Sequence, residues 1–168
     1  SGDALRGEQE TRAFSYVTEH PDEDDVELLD RATREVIEDQ VACGIDIPTD
    51  GEQRRENYIH YHCRHLKGFD FAKLTTKVHR NGAAIADLPT ITGKIVPRGN
   101  HFLDRDYEMA QSCTDRPVKI TVPGPVTIID TSADAHYKDE RRLAFDLAAA
   151  LNYEIRALAD AGCRHIQV

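Results

Sequence analysis

The C-terminal part of the chain combines a long helical pattern with a strand, and this constrains the fold more than any other segment. Apolar residues recur at helical spacing after Asp139, a good N-cap residue, and Gly162 stands where helices commonly end. Residues 163–168 then read as a buried strand. A second passage from helix through glycine to strand occurs at residues 41–47. Such repeats without a linker predict a mainly parallel sheet with crossover helices, in a barrel or an open sheet.

Length and charge limit what this α/β chain can be. Its 168 residues can bury one core, but a closed (βα)8 barrel needs about 250. The net charge of -9 argues against a nucleic-acid or membrane partner. No apolar run approaches the about 20 residues of a transmembrane helix, and residues 1–10 lack the order of a signal peptide. We expect a cytoplasmic protein whose four cysteines are reduced and act as small hydrophobes.

Helix and strand signals alternate along the chain, with one β excursion. Alternation on both sides of Asn81-Gly82 predicts an inserted β-hairpin over residues 69–97. The remaining patterns predict helices over residues 22–43, 56–66, 102–112 and 139–161, a short helical pattern within 1–20, and strands at 45–47, 118–122 and 163–168.

Charged residues crowd the loop that follows the predicted strand at 45–47. Two carboxylates, Asp50 and Glu52, precede two guanidinium groups, Arg54 and Arg55. A carboxylate can bind the ammonium group of an amino acid, and an arginine can bind its carboxylate. The alternative is a solvated loop that caps the next helix.

A second loop, Pro123-Gly124-Pro125, follows the strand at 118–122. Its prolines make the loop rigid, and its glycine lets a ligand approach the backbone closely. The alternative is an ordinary turn between strand and helix.

Histidines and basic residues offer weaker signals. On a helix, His60 and His62 point in different directions; His62 and His65 converge, but without a nearby carboxylate they make a thin metal site. A packed helix face is the favoured interpretation. The positive charges of His79, Arg80, Arg98 and His101 suit either an anionic ligand or, preferably, a solvated edge strand.

Three segments resemble the cobalamin-independent methionine synthase family, and with the spacing between them they span most of the chain after residue 25. Their sequences are GIDIPTDGE (44–52), KITVPGPVT (119–127) and AAALNYEIRALADAGCRHIQV (148–168). The resemblance implies that the chain is the N-terminal portion of a (βα)8 TIM-type barrel, partial and single-domain over 1–168, with the hairpin inserted.

The resemblance also implies an activity and a set of binding residues. The family transfers a methyl group to a thiol, classically homocysteine, which a zinc ion activates. By this resemblance Glu52 contacts the amino-acid substrate. Asp50 and Arg55 join the predicted substrate-binding set because of their charges in the same loop. Gly124, Pro125 and Thr127 would lie beside the methyl donor. No catalytic residue and no metal ligand is assigned in this chain, because the family's zinc ligands are expected beyond Val168.

Two departures from the family pattern bear on the function. The family's opening strand with its Gly-Ser loop is expected before Ser1 and is not found within residues 1–168. Folate-using members carry a tryptophan shortly after the Gly-Pro-x-Thr loop, where this chain has Thr131, and the chain contains no tryptophan. The methyl donor is therefore either related to 5-methyltetrahydrofolate or of another kind.

Three hypotheses follow. The chain is part of a zinc-dependent thiol methyltransferase, or a catalytically silent α/β binding module, or part of a thiol alkyltransferase that uses a non-folate electrophile. We expect small molecules, a thiol and a methyl donor, as partners, and self-association through an open sheet edge.

Overall fold

The computed structural model describes residues 22–79 and 84–168. Within these ranges the chain forms two compact units, to each of which distant segments contribute. The first unit contains residues 22–58, Leu103–Ile120 and Leu158–Gln167; the second contains Ile59–Phe102, Thr121–Ala157 and Val168. The helical pattern predicted within residues 1–20 and the Asn81-Gly82 turn lie outside the described residues.

Helices and strands alternate through both units. In chain order they are α1 (Glu23–Ala42), α2 (His60–Arg64), β1 (Leu66–His79), β2 (Ala84–Pro97), α3 (Leu103–Gln111), β3 (Lys119–Thr121), α4 (Pro125–Asp130), β4 (Ala133–Asp134), α5 (Glu140–Asp160) and β5 (His165–Gln167).

In the first unit, α1 begins at a reciprocal cap. The Asp22 carboxylate accepts a hydrogen bond from the Asp25 N–H at 2.9 Å, and the Asp25 carboxylate accepts one from the Asp22 N–H at 3.3 Å. The helix ends before Gly44, whose φ of 87° suits glycine. It packs against α3 and buries Leu29, Thr33 and Ile37.

The first unit also holds a small sheet. Strands β3 and β5 are neighbours, and Thr49 joins Lys119 of β3 through a parallel bridge. The strand predicted at 45–47 is not formed. Ile45 and Ile47 are 43% and 38% exposed, so their alternation marks a surface turn.

The second unit is built on a mixed sheet in the order β1-β2-β4. The arms β1 and β2 pair antiparallel and overlap the predicted hairpin, while β2 pairs parallel with β4. A Cβ atom on Gly68 would lie 2.8 Å from the Gly93 carbonyl oxygen, which explains a glycine at this register shift. The mixed sheets and helices confirm the predicted α/β class. The partial barrel and the single domain stay predictions.

Buried apolar residues are present in each unit. In the first they include Ile37, Leu103, Ala110, Val118, Ile120 and Leu158; in the second they include Ile91, Ile95, Ile128, Leu143, Leu147 and Ala150. Of the described helices, none has the length and apolar character needed to cross a membrane.

All four cysteines lie in the described ranges and are free thiols. Cys163 is buried as predicted, and burial raises the pKa of its thiol. Cys43 is exposed, because the chain turns at the surface after α1. The expectation that Cys43 acts as a packed hydrophobe is therefore wrong.

Candidate active site

The loop at residues 50–55 belongs to the first unit, and its backbone is unusual at two consecutive positions. Gly51 has a φ of 64° and Glu52 a φ of 56°, both in the left-handed region. Such a conformation costs a residue with a Cβ about 1 kcal/mol or more. The Asp50 carboxylate supports it by accepting a hydrogen bond from the Glu52 N–H at 3.2 Å. The loop thereby holds Glu52 in a conformation that few residues adopt unaided.

Charges in this loop form a chain in which Arg55 lies between two carboxylates. Arg55 Nη2 is 3.4 Å from Asp50 Oδ2, and Arg55 Nη1 is 3.4 Å from Glu52 Oε1. The side chains of Arg55 and Asp50 are 0% and 6% exposed, whereas that of Glu52 is 37% exposed. Glu52 is therefore the accessible end of this charge chain.

Burial dominates the electrostatics of Asp50. It raises the pKa of this carboxyl above the ordinary 3.8, while the charge of Arg55 and the hydrogen bond from the Glu52 N–H act in the opposite direction. Burial raises the pKa of Tyr58 too, helped by the charge of Glu52. The pKa of Tyr58 therefore depends on the charges of Glu52 and Arg55 as well as on burial. The sequence does not single out Tyr58, because no motif or charge marks it although it lies three residues after Arg55.

Salt bridges fasten the loop to two helices of the first unit. Arg54 pairs with Asp30 of α1, and Arg54 Nε lies 3.6 Å from Asp106 Oδ1 of α3. Ile59 is the N-cap residue of α2, and its side chain makes no capping hydrogen bond. The alternative that the charged loop caps the next helix stays a prediction.

The Gly124 loop lies in the second unit, at the start of α4. Gly124 is the N-cap residue, with extended backbone, and Pro125 occupies the first helical position. A Cβ atom on Gly124 would meet Val168 Cγ1 at 3.8 Å, an ordinary contact. The Thr127 carbonyl accepts a hydrogen bond from Thr131 Oγ1 at 2.8 Å. Geometrically this is a turn from strand into helix.

The six predicted binding residues therefore fall into two groups. Asp50, Glu52 and Arg55 come together in the first unit. Gly124, Pro125 and Thr127 come together in the second.

The histidines of α2 and His65, its C-cap residue, pack as aromatic rings in the second unit. His65 stacks on Phe102 with ring centroids 3.8 Å apart, and burial together with the charge of Arg98 lowers its pKa to about 4. Burial also lowers the pKa of His60, opposed by a hydrogen bond with the Thr131 backbone. This contact ties α2 to the end of α4 and was not foreseen. The structure favours the packed helix face.

No cluster of three or more His, Cys, Asp or Glu side chains able to hold a metal occurs among the described residues. The donor sets in this part of the chain do not fit the zinc that the resemblance implies.

The basic residues after the hairpin are engaged internally. Arg98 Nε donates to the Arg64 carbonyl at 2.9 Å, and His101 Nδ1 lies 3.2 Å from Glu154 Oε1. Neither contact calls for an external anion. Arg80 and the side chain of His79 lie outside the described residues.

Comparison with known proteins identifies the family. The family described as "Cobalamin-independent synthase, Catalytic domain" matches residues 6–168. The chain belongs to this family. Methionine synthases of Saccharolobus solfataricus and Sulfolobus acidocaldarius are 36% and 37% identical to it, each over 87% of the chain. The chain spans 43% and 42% of the lengths of these two relatives.

Solved structures give the same relationship. A B12-independent methionine synthase from Shewanella sp. W3-18-1, determined in complex with selenomethionine, has a TM-score of 0.80 and 34% identity; the match covers 86% of this chain and 42% of that one. A putative vitamin-B12 independent methionine synthase from Listeria monocytogenes has a TM-score of 0.70 at 22% identity, covering 97% of this chain and 47% of that one. The second likeness bears on the fold alone.

Proposed function

We propose that this chain supplies the amino-acid-binding loop of a thiol methyltransferase of the methionine synthase type, with homocysteine as the acceptor. The observation that carries the proposal is the charge chain of the 50–55 loop. Two of its members, Asp50 and Arg55, are buried, and the third, Glu52, keeps an accessible carboxylate. Membership of the cobalamin-independent synthase family supports this proposal.

Glu52 would bind the ammonium group of the thiol substrate. Its carboxylate is close enough to Arg55 to be oriented, yet exposed enough to meet a ligand. Because the left-handed backbone and the Asp50 hydrogen bond are already in place, binding need not order the loop. A charge-assisted hydrogen bond of this kind contributes about 1.5–3 kcal/mol.

Asp50 and Arg55 would act as supports for Glu52. The Asp50 carboxylate is 6% exposed and is directed at Arg55 and at the Glu52 N–H. Arg55 likewise faces the two carboxylates. In this proposal the sequence-based assignment of all three as binding residues is refined: one binds and two position it.

In the reaction, the substrate thiol loses its proton and its sulfur attacks the methyl carbon. A sulfur–carbon bond forms, and the bond between the methyl group and the donor breaks with its electron pair left on the donor. The residues of this chain would orient the amino-acid part of the acceptor. A zinc ion, which the family resemblance implies for such an enzyme, would need ligands other than the described residues.

Gly124, Pro125 and Thr127 would lie beside the methyl donor. The exposed Val126 and Thr127 leave the surface of this loop open to a ligand. Because the chain has no tryptophan to stack on a pterin, a non-folate methyl or alkyl donor is the second candidate. Assays with 5-methyltetrahydrofolate and with simple alkyl donors, run on the protein as its gene encodes it, separate the two.

The test of the thiol site compares two ligands by calorimetry. L-Homocysteine carries the ammonium group, and 4-mercaptobutanoate lacks it but keeps the thiol and the carboxylate. We expect wild-type protein to prefer L-homocysteine by about tenfold or more. The Glu52→Gln variant should lose this preference, because the amide has no negative charge.

A matched control removes the same charge elsewhere. Glu38 is exposed on α1, and Glu38→Gln should leave the preference unchanged. A Glu52→Gln variant that still prefers L-homocysteine as strongly as wild type overturns the proposal. Failure of the wild-type protein to bind either thiol favours the silent binding module instead.

Three broader expectations complete the proposal. The partial (βα)8 barrel would be part of the full enzyme's barrel, as the likeness to solved methionine synthases supports. The protein would act in the cytoplasm, where free thiols such as its four cysteines persist. Self-association through an open sheet edge stays a prediction that sedimentation can test.

A further inference from the structure

The side-chain amide of Gln40 forms two hydrogen bonds with the backbone of Thr49, as a neighbouring strand would. Thr49 directly precedes the charged loop. Gln40 Nε2 donates to the Thr49 carbonyl at 2.9 Å, and the Thr49 N–H donates to Gln40 Oε1 at 2.9 Å. The second Nε2 hydrogen goes to the Val36 carbonyl at 3.1 Å. With both donors used, the amide has one orientation that satisfies all its partners. Gln40 therefore fixes both the N–H and the carbonyl group of Thr49.

The same face of α1 touches the loop at a second point. Residues four apart on a helix lie side by side, so Val36 is next to Gln40. A Cβ atom on Gly51 would fall 2.7 Å from Val36 Cγ1, which shows how closely the loop backbone approaches the helix there. Two points of contact, at Thr49 and Gly51, bracket Asp50.

Thr49 is also held from its other side. It forms the parallel bridge with Lys119 of β3, and the Lys119 N–H donates to the Pro48 carbonyl at 2.9 Å. The Thr49 hydroxyl accepts a hydrogen bond from the Gly51 N–H at 3.2 Å. The start of the loop is thus clamped between β3 and the Gln40 amide, and the left-handed turn at Glu52 begins from a fixed point.

We propose that Gln40 is a positioning residue for Glu52: its amide sets the origin of the loop and so the place at which the Glu52 carboxylate meets the substrate ammonium. The inference rests on the proposed function, because it concerns the same thiol site. Gln40 itself need not touch the substrate. Its effect passes through Thr49 and the backbone of the loop.

A second glutamine of the first unit provides a matched control. Gln111 ends α3, and its Nε2 donates to the Thr114 and Arg116 carbonyls at 2.9 Å each. Its Oε1 accepts the Val118 N–H at 3.1 Å. The bonding is of the same kind, but Gln111 holds Val118 at the entry to β3 and makes no hydrogen bond to Thr49.

The experiment measures the preference for L-homocysteine over 4-mercaptobutanoate in Gln40→Met and Gln111→Met. Methionine keeps the length and helix propensity of glutamine and removes every hydrogen bond of the amide. We expect Gln40→Met to reduce the preference about fivefold to tenfold, and Gln111→Met to change it less than about twofold. Gln40→Asn, one methylene shorter, is a milder second variant that should change the preference in the same direction.

Hydrogen exchange gives a readout that does not depend on thiol binding. Gln40→Met should speed exchange at the Thr49 and Glu52 amides, whereas Gln111→Met should speed it at Val118. A Gln40→Met protein that keeps both the wild-type preference and slow exchange at Glu52 overturns the inference. If Glu52→Gln has no effect on the preference, the proposed function fails, and exchange at Glu52 still decides whether Gln40 positions the loop.

Discussion

Arg55 Nη2 lies 3.4 Å from Asp50 Oδ2, and both side chains are almost fully removed from solvent. The attraction between them does not recover the cost of burying the carboxylate, since burial raises the pKa of Asp50 despite the arginine. Buried ion pairs commonly behave in this way, because desolvation offsets the gain from the opposite charge. The pair thus fixes the geometry of the loop more than it stabilises the protein.

This relationship predicts a pH dependence of stability. A raised pKa in the folded state means that folding favours the protonated Asp50. Its contribution to stability is therefore present below the ordinary pKa of 3.8 and is lost as the pH rises through the raised pKa of the folded state. Asp50→Asn cannot titrate. We expect the stability of wild type relative to Asp50→Asn to fall as the pH rises from about 4 towards neutrality.

Urea unfolding of both proteins at a series of pH values measures this difference. Asp115→Asn, at an exposed position, controls for the general effect of removing a carboxylate. A relative stability of wild type that instead grows with pH would mean that the attraction of Arg55 outweighs burial.

Gly51 is predicted to be far less tolerant of substitution than Gly44, although both have positive φ. No described atom lies within 4 Å of a Cβ on Gly44, so Gly44→Ala reports the backbone cost alone, about 1 kcal/mol. Gly51→Ala adds a 2.7 Å contact with Val36, a β-branched residue that cannot easily move. We expect an additional loss of about 1–3 kcal/mol in chemical unfolding. Equal losses in the two variants would show that the loop yields.

The hydroxyl of Tyr137 joins the hairpin to α5 within the second unit. It donates to Asp146 Oδ2 at 2.6 Å and accepts the Ile95 N–H at 2.8 Å. Burial and this carboxylate raise the pKa of Tyr137. Tyr137→Phe leaves the Ile95 N–H and the Asp146 carboxylate without the hydroxyl, and should cost about 2 kcal/mol of unfolding free energy.

Tyr153→Phe is the comparison for this prediction. The Tyr153 hydroxyl donates one hydrogen bond, to the Gly99 carbonyl at 3.2 Å on the surface. Its removal should cost about 0.5 kcal/mol, because water replaces the lost partner. Similar losses in the two variants would argue that the Tyr137 hydroxyl is not a structural tie.

The sequence predicts best where local chemistry decides the outcome. The helix predicted after Asp139 is α5, and the acidic start and glycine end of the first long helix bound α1, because caps and periodicity act within a few residues. The charged loop was likewise found from residues adjacent in sequence. Its internal arrangement, with Asp50 buried and Glu52 accessible, depends on what packs around it and could not be predicted from composition.

The failures are long-range in origin. Ile45 and Ile47 alternate as in a strand, but the bridge to β3 forms at Thr49 instead, where the Gln40 side chain occupies the other side. The helix predicted over 56–66 is reduced to α2, and the loop before it is tied to α1 and α3 by the salt bridges of Arg54. These salt bridges join residues distant in sequence.

His65 provides a final prediction, opposite in sign to that for Asp50. Burial, with the charge of Arg98, lowers its pKa from 6.5 to about 4, so the folded state disfavours the protonated ring. The neutral ring therefore contributes stability that is present above pH 6.5 and is lost as the pH falls towards 4.

His65→Phe keeps the stacking on Phe102 and cannot titrate. Thermal unfolding between pH 7 and 4 should show wild type losing about 2 kcal/mol more than His65→Phe, after allowance for partial exposure. His136→Gln, at an exposed histidine, should follow wild type across this range. Parallel curves for wild type and His65→Phe would mean that His65 accepts a proton in the folded state without penalty.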